Sequence, residues 1–243
     1  MNLKRFLGKC RAAYKILRAK AKPSFSQVGE DLVVDYLFKS LNVNNISYLE
    51  IGTNQPVLCN NTYFFYNKGC KGVCIEPDRM MYEIIKKARP RDTVLNIGIG
   101  LTDKKAADFY LFPGLLNGWS TFSEEEATIR EKESGIKCEK IIVPLKNINA
   151  VIEENFDTCP NYISIDVEGL DLEILKSLDF KRFQPAVICV ETISFSITNR
   201  EIKLQDTLDF MHANGYITYA DTHVNTIFCR KELFNSGNEG NKN

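Results

Sequence analysis

Five short apolar runs, each ending at or beside an acid or a glycine, recur along this chain with helical segments between them. They read ISYLEIG at 46–52, VCIE at 73–76, TVLNIGIG at 93–100, YISIDVEG at 162–169 and AVICVET at 186–192. Runs of this length, rich in Val, Ile and Tyr, are what a strand buried on both faces requires. The stretches between them carry helical patterning: QVGEDLVVDYLFKSL, residues around 60–68, MYEIIKKA at 81–88, residues around 147–155, and DLEILKSLDF at 171–180 with Leu172, Leu175 and Leu178 on one side. A further helix, IKLQDTLDFMHANGY, ends near Gly215. Strands alternating with helices imply an α/β fold: a parallel sheet with right-handed crossovers and helices on both faces. The closing runs YITYA and NTIFCR flank ADTHV, close enough for a hairpin. They read as strands six and seven, so a mostly parallel seven-stranded sheet with one antiparallel strand near the C-terminus is expected. DFYLF at 108–112 reads as a short strand extension. Residues 113–135, with Gly114, Gly118, Trp119 and a Ser/Glu-rich run, read as an excursion from the pattern.

At 243 residues the chain has room for one such domain. Its boundaries are expected as a basic amphipathic helix over 1–22, the main domain over 23–235 and a disordered tail over 236–243. Residues 1–22 carry eight Lys/Arg and no acid, which leaves 23 bases against 31 acids in the remainder. A body that acidic is a poor surface for DNA or RNA, so no nucleic-acid partner is expected. In the first segment Leu3, Phe6, Leu7, Cys10, Tyr14 and Leu17 recur at helical spacing. Such a helix can lie on an anionic membrane surface, pack on the domain, or serve as an organelle presequence, although the usual serines are missing. No apolar stretch approaches the roughly 20 residues of a membrane span, and no signal-peptide core is visible. The expected location is cytoplasmic, with peripheral membrane contact through residues 1–22. Cys74, Cys189 and Cys229 sit within apolar runs, and none of the eight cysteines forms a Cys-x-x-Cys. Reduced thiols are therefore expected, with no structural zinc.

In an open α/β sheet, ligands bind at the carboxyl ends of the strands near the point where strand order reverses. After strand one stands Glu50-Ile-Gly52-Thr53-Asn54. The further glycines of a dinucleotide fingerprint are absent, which argues against an NAD-dependent dehydrogenase. S-adenosylmethionine has no phosphate, and one glycine with polar neighbours suits it better. Glu76, 24 residues beyond Gly52, closes strand two where an acid can accept hydrogen bonds from ribose hydroxyls. The bland alternative is a surface acid meeting a helix dipole. Asn96 follows strand three, where it can meet the adenine edge or simply cap the chain. After strand four, Asp166 and Glu168 are separated by one residue and share a face in extended geometry. Glu191 closes strand five beside them. Three convergent acids mark a site more strongly than one.

YLEIG, GVCIEPD, LNIGIG and ISIDVEGLDLEILKSLDF resemble the motifs of the FkbM family of methyltransferases. SQVGEDLVVDYLF and the late NTIFCRKEL extend the resemblance from about Ser26 to Leu233. It implies the class I methyltransferase (Rossmann-like) sheet and methyl transfer from S-adenosylmethionine, commonly to a hydroxyl of a sugar or natural product. By position it implies that Glu50, Gly52, Asn54, Glu76, Asn96 and Asp166 line the cofactor site. It also implies that Asn117, Trp119 and Ser120 lie over the acceptor. An aliphatic hydroxyl needs help to lose its proton, and the candidate bases are Asp166, Glu191 and His223. His212 is expected to be structural. A divalent cation on Asp166, Glu168 and Glu191 is the alternative to a protein base, and a metal-free site is the preferred expectation. A catalytically inactive glycan-binding or scaffolding module is the non-enzymatic alternative, and losing the site acids would favour it.

Overall fold

The structure is a computed structural model that describes residues 22–194 and 202–239. All but the last residue of the basic segment, and residues 240–243, lie outside the described residues. Seven strands form the main sheet: β1 (Ser47–Ile51), β2 (Lys71–Ile75), β3 (Thr93–Leu95), β7 (Tyr162–Ile165), β8 (Val187–Glu191), β9 (Tyr216–Asp221) and β10 (Asn225–Arg230). Their order is β3-β2-β1-β7-β8-β10-β9. β10 pairs antiparallel with β8 and β9, and the other pairings are parallel. The expected single antiparallel strand near the C-terminus is therefore β10. Strand order reverses between β1 and β7, and a ligand crevice opens at such a point.

The period of two along each strand distributes the core. Leu49, Ile51, Val73, Ile75, Ile163, Ile165, Ile188 and Val190 project to one face. There they meet α5 (Ile148–Asn155), α6 (Asp171–Ser177) and α7 (Gln205–Ala213). Tyr48, Tyr162, Cys189 and Cys229 project to the other face, against α1 (Glu30–Ser40) and α2 (Tyr63–Asn67). Cys74 on the same face meets Met81 and Ile85 of α3 (Arg79–Ala88). Each enclosed aliphatic side chain contributes roughly 1.5–3 kcal/mol, which is why the strands read as continuous apolar runs. Seven cysteines among the described residues are unpaired thiols, as their spacing predicts.

Three sequence expectations change. Residues 93–100 are not one strand. After Leu95 the Asn96 amide donates to the carbonyls of Glu76 and Pro77, both at 2.8 Å, and the chain leaves the sheet. β4 (Gly98–Ile99) then pairs with β6 (Glu139–Lys146) in a separate three-stranded sheet, ordered β4-β6-β5, with β5 (Ala106–Leu111) at its edge. So DFYLF belongs to this second sheet and extends no strand of the first. The excursion at 113–135 stands outside the main sheet as expected, and within it a 3₁₀ turn over Gly114–Trp119 leads into α4 (Glu124–Ser134). Ser123 caps α4 by accepting from the Glu126 amide, three acids occupy its first turn, and Gly135 at φ 73° ends it. Finally α8 (Lys231–Glu239) runs past residue 235, so the helix reaches into the stretch expected to be tail. Among the described residues no helix is long and apolar enough to cross a membrane.

Candidate active site

At the carboxyl end of β1, β2, β7 and β8 lies a cleft of about 280 Å³. Gly52–Asn54 and Glu76 form one side, Asp166–Glu168 the floor, and Glu191 the far wall. Asn117–Ser120, Phe109 and Phe122 also line it, from the excursion and the second sheet. The structure thus brings together Gly52, Asn54, Glu76, Asp166, Glu168 and Glu191 from the residues picked out by sequence, and Asn117, Trp119 and Ser120 line the same cleft.

Gly52 is required by a close approach. Its φ is 81°, and a Cβ there would lie 1.8 Å from the Asp166 carbonyl oxygen. Backbone therefore meets backbone across the β1–β7 seam, and the end of β7 itself excludes a side chain at this position. Glu76 is 5 % exposed and accepts the backbone N–H of Asn54 at 2.7 Å and of Asp78 at 2.8 Å. Asp78 in turn caps α3 through the Met80 amide. Burial pushes the Glu76 carboxyl up to about 7; the two backbone amides oppose this, and the charges of Asp78 and Glu50 add to it.

Glu50 and Asn96 are placed behind the cleft, outside its lining. Glu50 lies one residue before the end of β1 and is 4 % exposed. It pairs with Arg89 at 3.2 Å and accepts from Asn60 at 3.0 Å. Asn96 shapes the chain by bonding the Glu76 and Pro77 carbonyls. His223 is also outside the lining. It is exposed in the β9–β10 turn at φ 75°, with its amide held by Asp221 at 2.8 Å. The turn needs a left-handed residue at this point, and that conformation sets where the imidazole sits. His212 bonds Thr218 at 3.0 Å and meets the edge of Phe228, a structural place as expected.

Asp166, Glu168 and Glu191 each offer a carboxylate oxygen, all within 4.8 Å of one another. Glu168 takes φ 60°, a conformation that a non-glycine residue holds only when its surroundings fix it. Its carbonyl accepts from Thr121 Oγ1 at 2.9 Å and its carboxylate from Arg130 at 2.9 Å. Asp171 accepts the amides of Val167 at 3.1 Å and Gly169 at 3.2 Å, completing the clamp on this loop. Arg130 itself is 1 % exposed and also reaches Glu126 and the Trp119 carbonyl. Burial raises the Asp166 and Glu191 carboxyls well above the usual carboxylate range; the charges of Glu168 and Asp171 raise both further, and the charge of Asp166 adds to Glu191. Burial brings Glu168 to about 7, with Arg130 opposing and Asp171 and Glu126 reinforcing. Groups poised this way can hold or take a proton near neutrality. The same three oxygens are a donor set that a hard divalent cation accepts.

Arg130, Thr121, Gln27 and Cys59 complete the site and were not picked out by sequence. A capping pattern, Ser123 followed by Glu126, signals α4 in the sequence. Nothing local to Arg130 shows that it crosses to Glu168.

The sequence profile described as the methyltransferase FkbM domain matches residues 50–218. No curated protein matches the chain by sequence. Among solved structures, the chain is similar to a TehB-like SAM-dependent methyltransferase from Corynebacterium glutamicum, with 10 % identity over 92 % of this chain and 97 % of that one, TM-score 0.43. It is similar to an O-methyltransferase from Bacillus cereus in complex with SAH, with 12 % identity over 90 % and 87 %, TM-score 0.41. It is also similar to the human methyltransferase 10 domain containing protein, with 12 % identity over 89 % and 92 %, TM-score 0.44.

Proposed function

The chain belongs to the FkbM family of methyltransferases, and from that premise we propose that the methyl acceptor is a hydroxyl oxygen on a sugar, glycan or related natural product. The activity of the chain is methyl transfer from S-adenosylmethionine. When bound, S-adenosylmethionine supplies a methyl group already activated by its sulfonium. The protein's part is alignment, charge and proton handling. Gly52, packed against β7, presents backbone to the cleft. Glu76 offers its remaining lone pairs to the ribose hydroxyls, and Asp166 faces the same cavity from the floor with a carboxylate suited to the amino group. The Glu191 carboxyl, at the end of β8, would be returned to its ionised form by the positive charges of the bound cofactor, and in that form it would accept the acceptor's hydroxyl proton as the new bond forms. Trp119, Asn117 and Ser120 cover the reacting groups and offer both a ring face and polar contacts to a sugar.

The observation that carries this reading is the meeting of three proton-holding carboxyls with the Gly52 wall in one cleft. The first experiment is calorimetric titration of the chain with S-adenosylmethionine and S-adenosylhomocysteine, alongside Glu76→Ala. Micromolar binding that the variant loses supports the cofactor and its ribose anchor. No binding to either compound by folded protein rejects both. For the acceptor, methyl-labelled cofactor is offered with hydroxyl-bearing sugars, and the labelled product is treated with mild alkali. An ether keeps the label; loss of the label marks a methyl ester and overturns the hydroxyl reading.

A further inference from the structure

One buried side chain outside the cleft connects the cofactor wall to the interior. The loop after β1 supplies Gly52, Thr53, Asn54 and Cys59 to the cleft. Asn54 and Cys59 both sit in the left-handed region, at φ 49° and 51°. Non-glycine residues keep that conformation only where the surroundings hold them. Asn60 follows directly, is 1 % exposed and does not line the cleft. Its Nδ2 donates to the Gln55 carbonyl at 2.9 Å and to Glu50 Oε2 at 3.0 Å. Its Oδ1 accepts from the amides of Tyr63 at 2.7 Å and Thr62 at 3.1 Å, and from Arg89 Nη1 at 3.2 Å. Its own backbone N–H donates to the Phe25 carbonyl at 2.9 Å. Both ends of the amide are thereby fully used.

The anchor behind it does not move easily. Arg89 is 0 % exposed and is fixed by Asp92 at 2.8 Å, Thr62 Oγ1 at 2.7 Å and the Tyr48 hydroxyl at 3.2 Å. On the other side, the residue before Gln55 is Asn54, whose amide orients Glu76 at 2.7 Å. A continuous series of bonds therefore runs from Arg89 through Asn60 and the Gln55–Asn54 backbone to Glu76. We infer that Asn60 is a positioning residue for cofactor binding, holding the Asn54–Cys59 loop in its left-handed shape so that Glu76 is presented to S-adenosylmethionine. The inference rests on the cofactor reading given above. An amide is needed at this place, because the Gln55 carbonyl and Glu50 require a donor while α2 and Arg89 require an acceptor on the same group.

The test uses the full chain, S-adenosylhomocysteine as probe, calorimetry for Kd and thermal unfolding for Tm. Asn60→Asp keeps the acceptor but sets a second carboxylate against Glu50, so it is made together with Glu50→Gln, which supplies a donor to the new carboxylate. That double variant restores the buried charge balance yet offers nothing to the Gln55 carbonyl. Its expected Tm matches that of Glu50→Gln alone, while its Kd for S-adenosylhomocysteine is at least about tenfold weaker. Asn60→Ser, which retains an acceptor for the α2 amides and is too short for Gln55, is expected to behave alike. Affinity equal to that of Glu50→Gln at matched Tm overturns the inference. So does failure of both variants to fold, which would assign Asn60 to the fold and not to the loop. Absence of binding by the unaltered chain removes the cofactor reading itself, and this inference with it.

Discussion

Arg89 and Arg130 are among the largest side chains that the fold encloses completely, yet their surroundings differ. Arg89 meets Glu50 and Asp92, and its remaining N–H groups reach Tyr48, Thr62 and Asn60. Neither acid lines the cleft. Arg130 meets Glu168 and Glu126 at the edge of the cleft, and Asp166, Glu191 and Asp171 crowd the same corner. Burial, and after it an excess of acids over the one cation, gives carboxyls that keep their protons to unusually high pH. A buried arginine with acids is therefore not one kind of feature. Around Arg89 the charges hold a loop in shape; around Arg130 the imbalance leaves groups able to exchange a proton with an acceptor.

The contrast can be broken most directly at the arginines themselves. Arg89→Met leaves Glu50 and Asp92 buried without a cation, and a loss of about 3–5 kcal/mol in urea unfolding is expected. Arg130→Met should cost no more than about 2 kcal/mol at pH 6, because its acids open onto the cleft and can take up protons. Equal losses would erase the distinction. A smaller effect of opposite sign is expected at the floor of the cleft. Asp166→Asn removes the cost of holding a buried carboxyl protonated above its unfolded pKa and should stabilise the protein by ~1 kcal/mol in the same assay at pH 6, while methyl transfer falls at least 100-fold, on the order of a lost acid–base or binding group. Destabilisation by this variant would show that the carboxyl is held at no such cost.

The smallest effect is in pH. Glu76 and Glu168 keep their protons to about 7 in the folded chain, far above an unfolded carboxyl. Between the unfolded value and about 7, the folded state binds more protons than the unfolded one. Stability without cofactor therefore falls as pH rises through that window. Ribose hydroxyls donate to the ionised form of Glu76, so affinity for S-adenosylhomocysteine should rise over the same window. Thermal unfolding and calorimetry at pH 5.5, 6.5 and 7.5 compare the two trends, and parallel trends would contradict the assignment of Glu76.

The sequence by itself determined the elements and their class. Apolar runs with a period of two or none, separated by helical spacing, permit little other than a sheet covered on both faces, and the C-terminal pair ADTHV joins is the observed hairpin of β9 and β10. It also placed acids at the strand ends, since Glu76, Asp166 and Glu191 do meet in one cleft beside Gly52. Only the tertiary structure decided which strand-end acid faces that cleft. Glu50 stands level with Ser164 on β7, two residues below Asp166. In a sheet at about 3.3 Å per residue, that is enough to sink it under the loop that covers it. The period of a strand says which residues share a face; it does not say how far the covering loop reaches. Arg130 crosses from α4 to Glu168, 38 residues away, and Gln27 reaches the cleft from the segment before α1. Such contacts depend on how the excursion and the N-terminal loop pack against the sheet, which no local pattern encodes.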